Sequence, residues 1–424
     1  MLNINKKKLL ILGGITLSKE IIKCAQKLGV NVYVADYLEN SPGKKIADKS
    51  FLISAADVEN LARLIEEEKI DGVYTSFIDL LLPYYQQVCE KTNKYCYATK
   101  EQINIFTNKY KFKQLCREFE IPVVKDYKIK PPFTKYELDK LNYPILIKPV
   151  DNSGGRGIFI CFTPDDVIIN YEKSLSYSSL KHIIVEPLIR EREASIFYMA
   201  KNGKIHLAAM GDRHTNYFYG GIIPLPVAYT FPSKYLEKYQ HTLNHKVIDM
   251  LKSIGIKNGI IFIQSFIENG NCIFYETGYR LSGILEYKLI NHACNIDLMG
   301  MMIKFALTGK MSNGANNINP NFHNHYCNIT FNAKPGIIGE VQGIEEVLRI
   351  PNVIDAVFTY EKGDIIPVEA LGTRGQVVAR VWAFAKTKLD LVDTADKIRR
   401  TIKVFSPEGK NILLSAPDAI ELFN

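Results

Sequence analysis

Much that would assign a function at sight is missing from this sequence of 424 residues. Its eight cysteines (Cys24, Cys89, Cys96, Cys116, Cys161, Cys272, Cys294 and Cys327) form no CxxC pair. That excludes the common zinc and dithiol motifs, and the thiols are too sparse for the disulfide framework of a small secreted domain. No apolar run approaches the ~20 residues of a membrane span. Met1 to Lys8 leads straight into LLILGG, without the apolar stretch and small-residue cleavage site of a signal peptide. These absences predict a soluble, cytoplasmic protein with reduced thiols and no membrane partner. The formal charge is +8, but no long Lys/Arg run marks a nucleic-acid surface, so no nucleic-acid partner is expected. No internal repeat recurs at a fixed period. His241 with His245, and His323 with His325, lack a Cys or acid partner at zinc spacing. GxxxxGK[ST] is absent, and the first strand runs into GGITLS instead of GxGxxG. Asp36 follows the second strand, where a ribose-binding acid would stand. The glycines are still read as a tight turn, and no nicotinamide cofactor is expected.

What remains is ordinary globular material, 47% hydrophobic and 23% charged, long enough for two or three domains. Residues 1–100 alternate apolar strands (Leu9 to Leu12, Asn31 to Ala35, Gly72 to Thr75) with helical stretches (Ser18 to Leu28, Asp57 to Lys69), the signature of a parallel, Rossmann-like sheet. Lys100 to Glu120 reads as one helix, stopped at Ile121-Pro122. A mixed α+β region runs from 101 to 312. Its strands are Ile145 to Pro149, Ile158 to Phe162 and Ile183 to Val185, with a hairpin of Gly259 to Ile267 and Cys272 to Tyr275 turning at Glu268 to Asn271. Asn291 to Gly309 reads as helix. A linker near Asn313 to Pro320 precedes a smaller α+β lobe, 321–424, with strands near Ile329, Val357 and Val378 and helices near Glu345 and Thr394, and Trp382, in a strand-like run, reads as core.

Chemistry concentrates in the middle region. Lys148 ends an apolar strand and is followed by Asp151-Asn152-Ser153-Gly154-Gly155-Arg156-Gly157. Glycines let backbone N–H groups approach phosphate oxygens, and a strand-borne lysine supplies charge. Val185-Glu186-Pro187-Leu188-Ile189 reads as a segment offering backbone groups to a base, and Glu193, seven residues after Glu186, as an acceptor for ribose hydroxyls. Gln264 and Phe266 share a strand face by the two-residue period, with Glu276 at the end of the partner strand. Such facing oxygens suit Mg²⁺ bridging phosphates, and Arg280 suits a transferring phosphoryl group. Each feature alone is more often a flexible turn, a solvated acid or a cross-strand polar pair. Gly211-Asp212-Arg213-His214, followed by Tyr217, Tyr219 and Gly220-Gly221, is the candidate substrate segment. Arg213 would pair with a carboxylate beside His214, and an ordinary surface loop is an equal alternative.

In this order, Lys109, Lys148, the glycine loop, Glu186 to Glu193, Gln264 to Glu276 and Arg280 resemble the ATP-grasp superfamily over residues 1 to about 310. The resemblance implies a Rossmann-like first domain, an ATP-grasp domain (101–312) with a lid at about 125–190, and the small C-terminal lobe. It implies ATP and Mg²⁺, with Mn²⁺ as an alternative ion. Lys109 and Lys148 would contact the nucleotide beneath a lid formed by Ser153, Gly154, Gly155 and Gly157. Glu186, Pro187 and Ile189 would hold adenine, Glu193 ribose, and Phe266 would pack on the base. Arg280, Lys148 and Glu276 would be catalytic, with Glu276 and Gln264 on the metal. The family pattern has an acid at Gln264 and E-x-N-x-R where this chain has Glu276-Thr277-Gly278-Tyr279-Arg280, so a metal site of one carboxylate and one amide is expected. The tail KPGIIGEVQGIEEVLRIPNV, with GDIIP and GQVVARVWAFAKT, resembles that of L-amino-acid ligases, and the whole chain resembles glycinamide ribonucleotide synthetase and biotin-carboxylase-like enzymes. The implied reaction joins a small carboxylate to an amine through an acyl phosphate. A phosphoribosylamine–glycine ligase, or a nucleotide-binding protein with weakened catalysis, is the alternative. The superfamily's habit suggests a homodimer.

Overall fold

The structure, a computed structural model, describes residues 3–152, 155–218, 224–312 and 317–414. Strands β1 (Lys8–Leu12), β2 (Asn31–Ala35), β3 (Lys49–Phe51) and β4 (Gly72–Tyr74) pair in parallel in the order β3-β2-β1-β4. Leu9 to Leu12 are buried because helices cover both faces of the sheet, which is why β1 is a continuous apolar run. Helix Ser18–Lys27 turns Ile21, Ile22 and Ala25 inward, and helix Val58–Glu67 is capped by the Asp57 side chain on the Asn60 amide. The Asp36 carboxylate accepts from Gly14 N at 2.6 Å and Leu38 N at 2.7 Å. It therefore fastens the loop after β1.

The expected single helix of residues 100–120 is two, Lys100–Thr107 and Lys109–Glu118. Asn108 breaks it. Its backbone is extended, and its side chain accepts from Tyr110 N and Lys111 N, competing with the helical ladder. The second helix thus begins at Lys109, whose N–H donates to Val150 O at 2.9 Å. Asn295, left-handed at φ 49°, and the cap Asp297 likewise divide the expected 291–309 helix into Tyr287–Cys294 and Leu298–Thr308.

The segment expected as a lid holds an antiparallel sheet of β5 (Ile145–Pro149), β6 (Phe159–Cys161) and β7 (Ile183–Pro187), ordered β6-β5-β7. Helix Pro164–Ser176 packs on it, and the two share a small core of their own, including Ile145, Ile147, Val167 and Val185. The body is an eight-stranded sheet of β8 (Arg192–Lys201), β9 (Lys204–Asn216), β10 (Leu225–Phe231), β11 (Gly259–Glu268), β12 (Asn271–Gly278), β13 (His325–Asn332), β14 (Val353–Phe358) and β15 (Val377–Ala385). All neighbours are antiparallel, in the order β12-β11-β8-β9-β10-β13-β15-β14. The C-terminal region thus continues the central sheet through the β10–β13 pair. It keeps a distinct core beneath helix Lys388–Thr401, including Val347, Leu391 and Ile398, with Val227 and Ala228 of β10 completing it. Trp382 is fully buried, on the side of the main core. Residues 313–316 of the expected linker lie outside the described residues. Among the described residues, no helix is long and apolar enough to cross a membrane.

Candidate functional site

A cleft of about 240 Å³ opens between the lid and the face of the large sheet carried by β8 to β12. Lys148 reaches it from β5, where its Nζ lies 2.6 Å from Glu186 Oε2 on neighbouring β7. Glu186 Oε1 lies 2.5 Å from the Nζ of Lys113, a fully buried residue that also pairs with Asp126, which in turn holds Arg117. The Glu186 side chain therefore braces two lysines from below, and the following residues Pro187, Leu188 and Ile189 line the cleft. Charges buried this deeply require pairing of this kind.

Lys109 enters from the helix that Asn108 starts. Its Nζ donates to Asn152 O in the lid loop and lies 3.9 Å from Glu276 Oε1. Burial lowers the Lys109 pKa, with Glu276 opposing. Glu276 on β12 stands directly opposite Gln264 on β11. Burial pushes the Glu276 carboxyl up, but Lys109, Arg374, Lys148 and Arg213 together outweigh it and hold it below the usual carboxylate range. Phe266 forms part of the wall, its ring 4.5 Å from that of Tyr275.

The lid loop makes its close approach at Gly157. With φ +74°, a Cβ there would lie 2.6 Å from Tyr177 Cβ and 2.8 Å from Pro149 Cγ. Gly155, at φ +84°, lines the cleft. Ser153 and Gly154, expected in the lid, lie outside the described residues, as do Tyr219, Gly220 and Gly221.

Three expected residues are placed differently from the sequence reading. Arg280 donates from Nε to Asp79 Oδ1 at 2.7 Å and from Nη2 to Asp79 Oδ2, with its guanidinium 4.9 Å over the Phe262 ring. It thus ties the sheet to the N-terminal domain and is not in the cleft wall. Arg213 lines the cleft, but Glu193 and the Tyr229 hydroxyl hold it. Glu193 Oε2 also accepts from Tyr275 Oη at 2.5 Å. His214, the next residue on β9, points to the opposite side of the sheet, where its Nε2 meets Thr230 Oγ1 at 2.9 Å.

The sequence reading missed Arg374. It sits in a turn, Arg374–Gln376, that Thr373 caps by accepting from Gly375 N, and it lines the cleft opposite the lysines. Its signal is slight: one arginine between glycines in GTRGQ, just before β15. A second cavity of about 410 Å³ adjoins the cleft and shares Lys109, Asn152 and Glu276 with it. It opens toward the N-terminal domain at Asp79, Gln86 and Gln87.

A family model, the ATP-binding domain of the carbamoyl-phosphate synthase L chain, matches residues 108–313. The biotin carboxylase domain dimer of the Hydrogenobacter thermophilus 2-oxoglutarate carboxylase, solved with MgADP and bicarbonate, superposes with a TM-score of 0.76 at 16% identity, over 96% of this chain and 91% of that one. Over residues 108–313, then, the chain matches an ATP-binding domain of the ATP-grasp type. An L-amino acid ligase from Bacillus licheniformis shares this ATP-grasp architecture, with a TM-score of 0.74 at 17% identity over 95% and 99% of the two chains. In sequence, the chain is 23% identical over 283 residues to a formate-dependent phosphoribosylglycinamide formyltransferase of Prochlorococcus marinus strain MIT 9515, 65% of this chain and 70% of that protein. The matches to two further formyltransferases span 44% and 47% of their lengths.

A divalent ion fits the ATP-grasp cleft only sparingly. Glu276 supplies a carboxylate and Gln264 an amide oxygen, and among the described residues no group of three His, Cys, Asp or Glu side chains gathers as a metal site. Mg²⁺ retains waters and leans on phosphate oxygens, so one carboxylate and one amide suffice for an ion carried in with a nucleotide. The neighbour solved with MgADP has that pairing of nucleotide and ion.

Proposed function

We propose that this ATP-grasp protein is a carboxylate–amine ligase. The supporting observation is the convergence of Lys109, Lys148 and Arg374 on Glu276 where two cavities meet. In this reading Lys109 and Lys148 take the phosphates and Gly155 and Gly157 shape the lid. Pro187 and Ile189, braced by Glu186, hold the base, with Glu193 at the ribose and Phe266 against the ring. Glu276 and Gln264 would hold Mg²⁺, or Mn²⁺, whose charge would offset that of the phosphates. A carboxylate oxygen of the first substrate attacks the terminal phosphorus and ADP departs. The amine then attacks the acyl carbon, phosphate leaves, and the amine loses a proton. Arg374 and the lysines stabilise the developing charge, and the closed lid excludes water.

The second cavity is the natural entrance for the amine. Its lining carries two cations, Lys100 and Lys109, against three acids, Asp79, Asp151 and Glu276. Ile103, Phe106, Phe112 and Leu180 add apolar wall. With Asp79 held by Arg280, two cations face two acids, and this lack of a cation surplus favours an unphosphorylated amine over a ribose-phosphate acceptor, and so an amino-acid ligase over a phosphoribosylamine–glycine ligase. A homodimer in the cytoplasm acting on small molecules accords with this reading, the biotin carboxylase neighbour being a domain dimer.

The test is phosphate release from ATP across pairs of amino acids, small acids and amines. Turnover should need both substrates and fall about 10²–10³-fold in Lys148→Met. Absence of ADP and phosphate across the whole panel, with ATP binding equally tightly with and without Mg²⁺, would instead favour the nucleotide-binding protein with weakened catalysis that Gln264 and Gly278 suggest.

A further inference from the structure

One buried cation of the central sheet has no partner. Arg380, on β15, is 4% exposed, and among the described residues nothing accepts a hydrogen bond from its Nε. Burial lowers its pKa to about 10, with Tyr229 opposing and a second cation, Arg374, adding to the fall. No carboxylate stands among these groups. Lys148, Arg213 and Arg280, by contrast, each have one, in Glu186, Glu193 and Asp79. A charge buried without a counter-charge is costly, and an anion that arrives from outside relieves that cost.

Arg380 lies on the cleft's side of the sheet. It stands opposite Thr330 on β13, and two residues on, Trp382 stands opposite Asn328. Asn328 is opposite Tyr229 on β10, and Tyr229 is opposite Arg213 on β9. Side chains alternate along a strand, so Arg380, Thr330, Tyr229 and Arg213 share one face. Arg213 is in the cleft wall, and β15 is three strands beyond β9. The loop after Arg280 covers this region, with Asn328 Nδ2 donating to Ile284 O at 2.9 Å. A Cβ at Gly283 in that loop would lie 3.6 Å from Leu17 Cδ1 and 3.9 Å from Arg374 Nη1, so the loop approaches Arg374 without closing on it. Arg374 acts on both Glu276 and Arg380 and thus links the proposed reaction centre to the buried arginine.

We propose that Arg380 receives a second, unactivated carboxylate of the first substrate, so that the acyl donor is a dicarboxylate. This rests on the ligase reading above. The carboxylate to be phosphorylated must lie beside Glu276 and Lys148, whereas Arg380 is outside the cleft wall, beyond Arg374. A substrate that reaches both places presents two anionic groups. The paired N–H donors of a guanidinium match a carboxylate. One uncompensated buried charge calls for a monoanion and not a phosphate dianion, since Arg374 already faces Glu276.

Thermal unfolding of the full chain with the acids from malonate to adipate, each against the monocarboxylate of the same chain length, reads binding without turnover. At least one dicarboxylate should raise the midpoint where its monocarboxylate does not. In phosphate release with a panel of amines, the KM for that dicarboxylate should be lower by about tenfold or more. Arg380→Met should abolish the preference in both assays. Arg374→Gln, in an exposed turn, should weaken it independently, and it serves as the test if Arg380→Met folds poorly. Equal midpoint shifts with dicarboxylates and monocarboxylates would overturn the proposal, as would a preference that survives both substitutions. If no acid supports phosphate release while the Arg380-dependent shift remains, the ligase reading fails and the carboxylate site stands.

Discussion

Replacing Gly278 with the asparagine of the ATP-grasp pattern should destabilise this protein, for a reason the structure makes quantitative. Gly278 pairs directly with Phe262 across β11 and β12. A Cβ added at 278 would lie 2.3 Å from Phe262 Cε1 and 2.6 Å from Cζ. The ring cannot easily yield, because it is buried and the Arg280 guanidinium covers it at 4.9 Å. Forcing a side chain into such packing costs about 1–3 kcal/mol. Phe262→Leu removes the offending ring edge, so Gly278→Asn should cost less in that background, with a favourable coupling of about 0.5–3 kcal/mol for contacting residues. Urea unfolding of the four proteins measures this, provided the slopes agree so that midpoints report stability. The double variant should also bind Mg²⁺ with nucleotide more tightly than Phe262→Leu alone, having regained an amide oxygen. A Gly278→Asn protein as stable as its parent, or a coupling of zero, would refute the steric argument. Unchanged metal affinity in the double variant would refute the idea that position 278 is a vacant ligand position.

Three further outcomes follow from the charged groups. Lys113→Met should cost about 3–5 kcal/mol in denaturant unfolding, because Lys113 pairs with both Glu186 and Asp126 at full burial and its loss strands buried carboxylates. Burial raises the Glu286 carboxyl from 4.5 to about 7, with its Ser282 hydrogen bonds opposing. The folded state therefore holds that proton more tightly than the unfolded chain does. This contribution is fully present below pH 4.5 and lost as pH rises through about 7. At 1.36 kcal/mol per pH unit the decline reaches about 3 kcal/mol at most. Glu286→Gln should flatten the stability profile over that window, and an unchanged slope would exclude Glu286 as its source. Arg374→Ala removes one of the cations that hold Glu276 ionised. The acid limb of phosphate release should then move toward neutral pH, and a limb that stays put would remove Arg374 from the electrostatics of the site.

What was legible in the sequence follows the range of the interactions that specify it. Strands β1, β2 and β4 and the lid strands are largely apolar runs between turn residues, so they could be read directly, whereas β3, Lys49–Phe51, is short and mostly exposed and was not read. Gln264 and Glu276 were legible as facing positions because a tight hairpin joins their strands, and structural register places them opposite each other. Strands β8 to β10 were not legible as elements. Buried on long stretches, Ala194 to Ala200 and Val227 to Phe231 show no alternation to mark a sheet. The helix break at Asn108 was missed because one side-chain cap overrides an otherwise helical pattern. Arg374 was illegible because it comes from the far end of the chain and reaches the cleft only once β15 has joined the central sheet. Arg280 was found, but its partner Asp79 lies 201 residues away, a distance no local motif spans.

The departure from the family pattern at Gly278 and the placement of Arg280 outside the cleft belong to one local arrangement. A Cβ at 278 would meet the Phe262 ring and would lie 3.1 Å from Asp79 Oδ1. The same Asp79 holds Arg280, and Arg280 in turn covers Phe262. Glycine, ring, arginine and aspartate therefore fill a space that a strand asparagine would otherwise enter, with the carboxylate supplied by the N-terminal domain. Asp79 also lines the second cavity beside Glu276. If the asparagine had merely been lost, the space at 278 would be open. It is instead packed by a neighbouring ring and bordered by a carboxylate that faces the proposed amine entrance. This packed junction between the N-terminal domain and the cleft accounts for the glycine at 278 and for the place of Arg280 without requiring that the chemistry be lost.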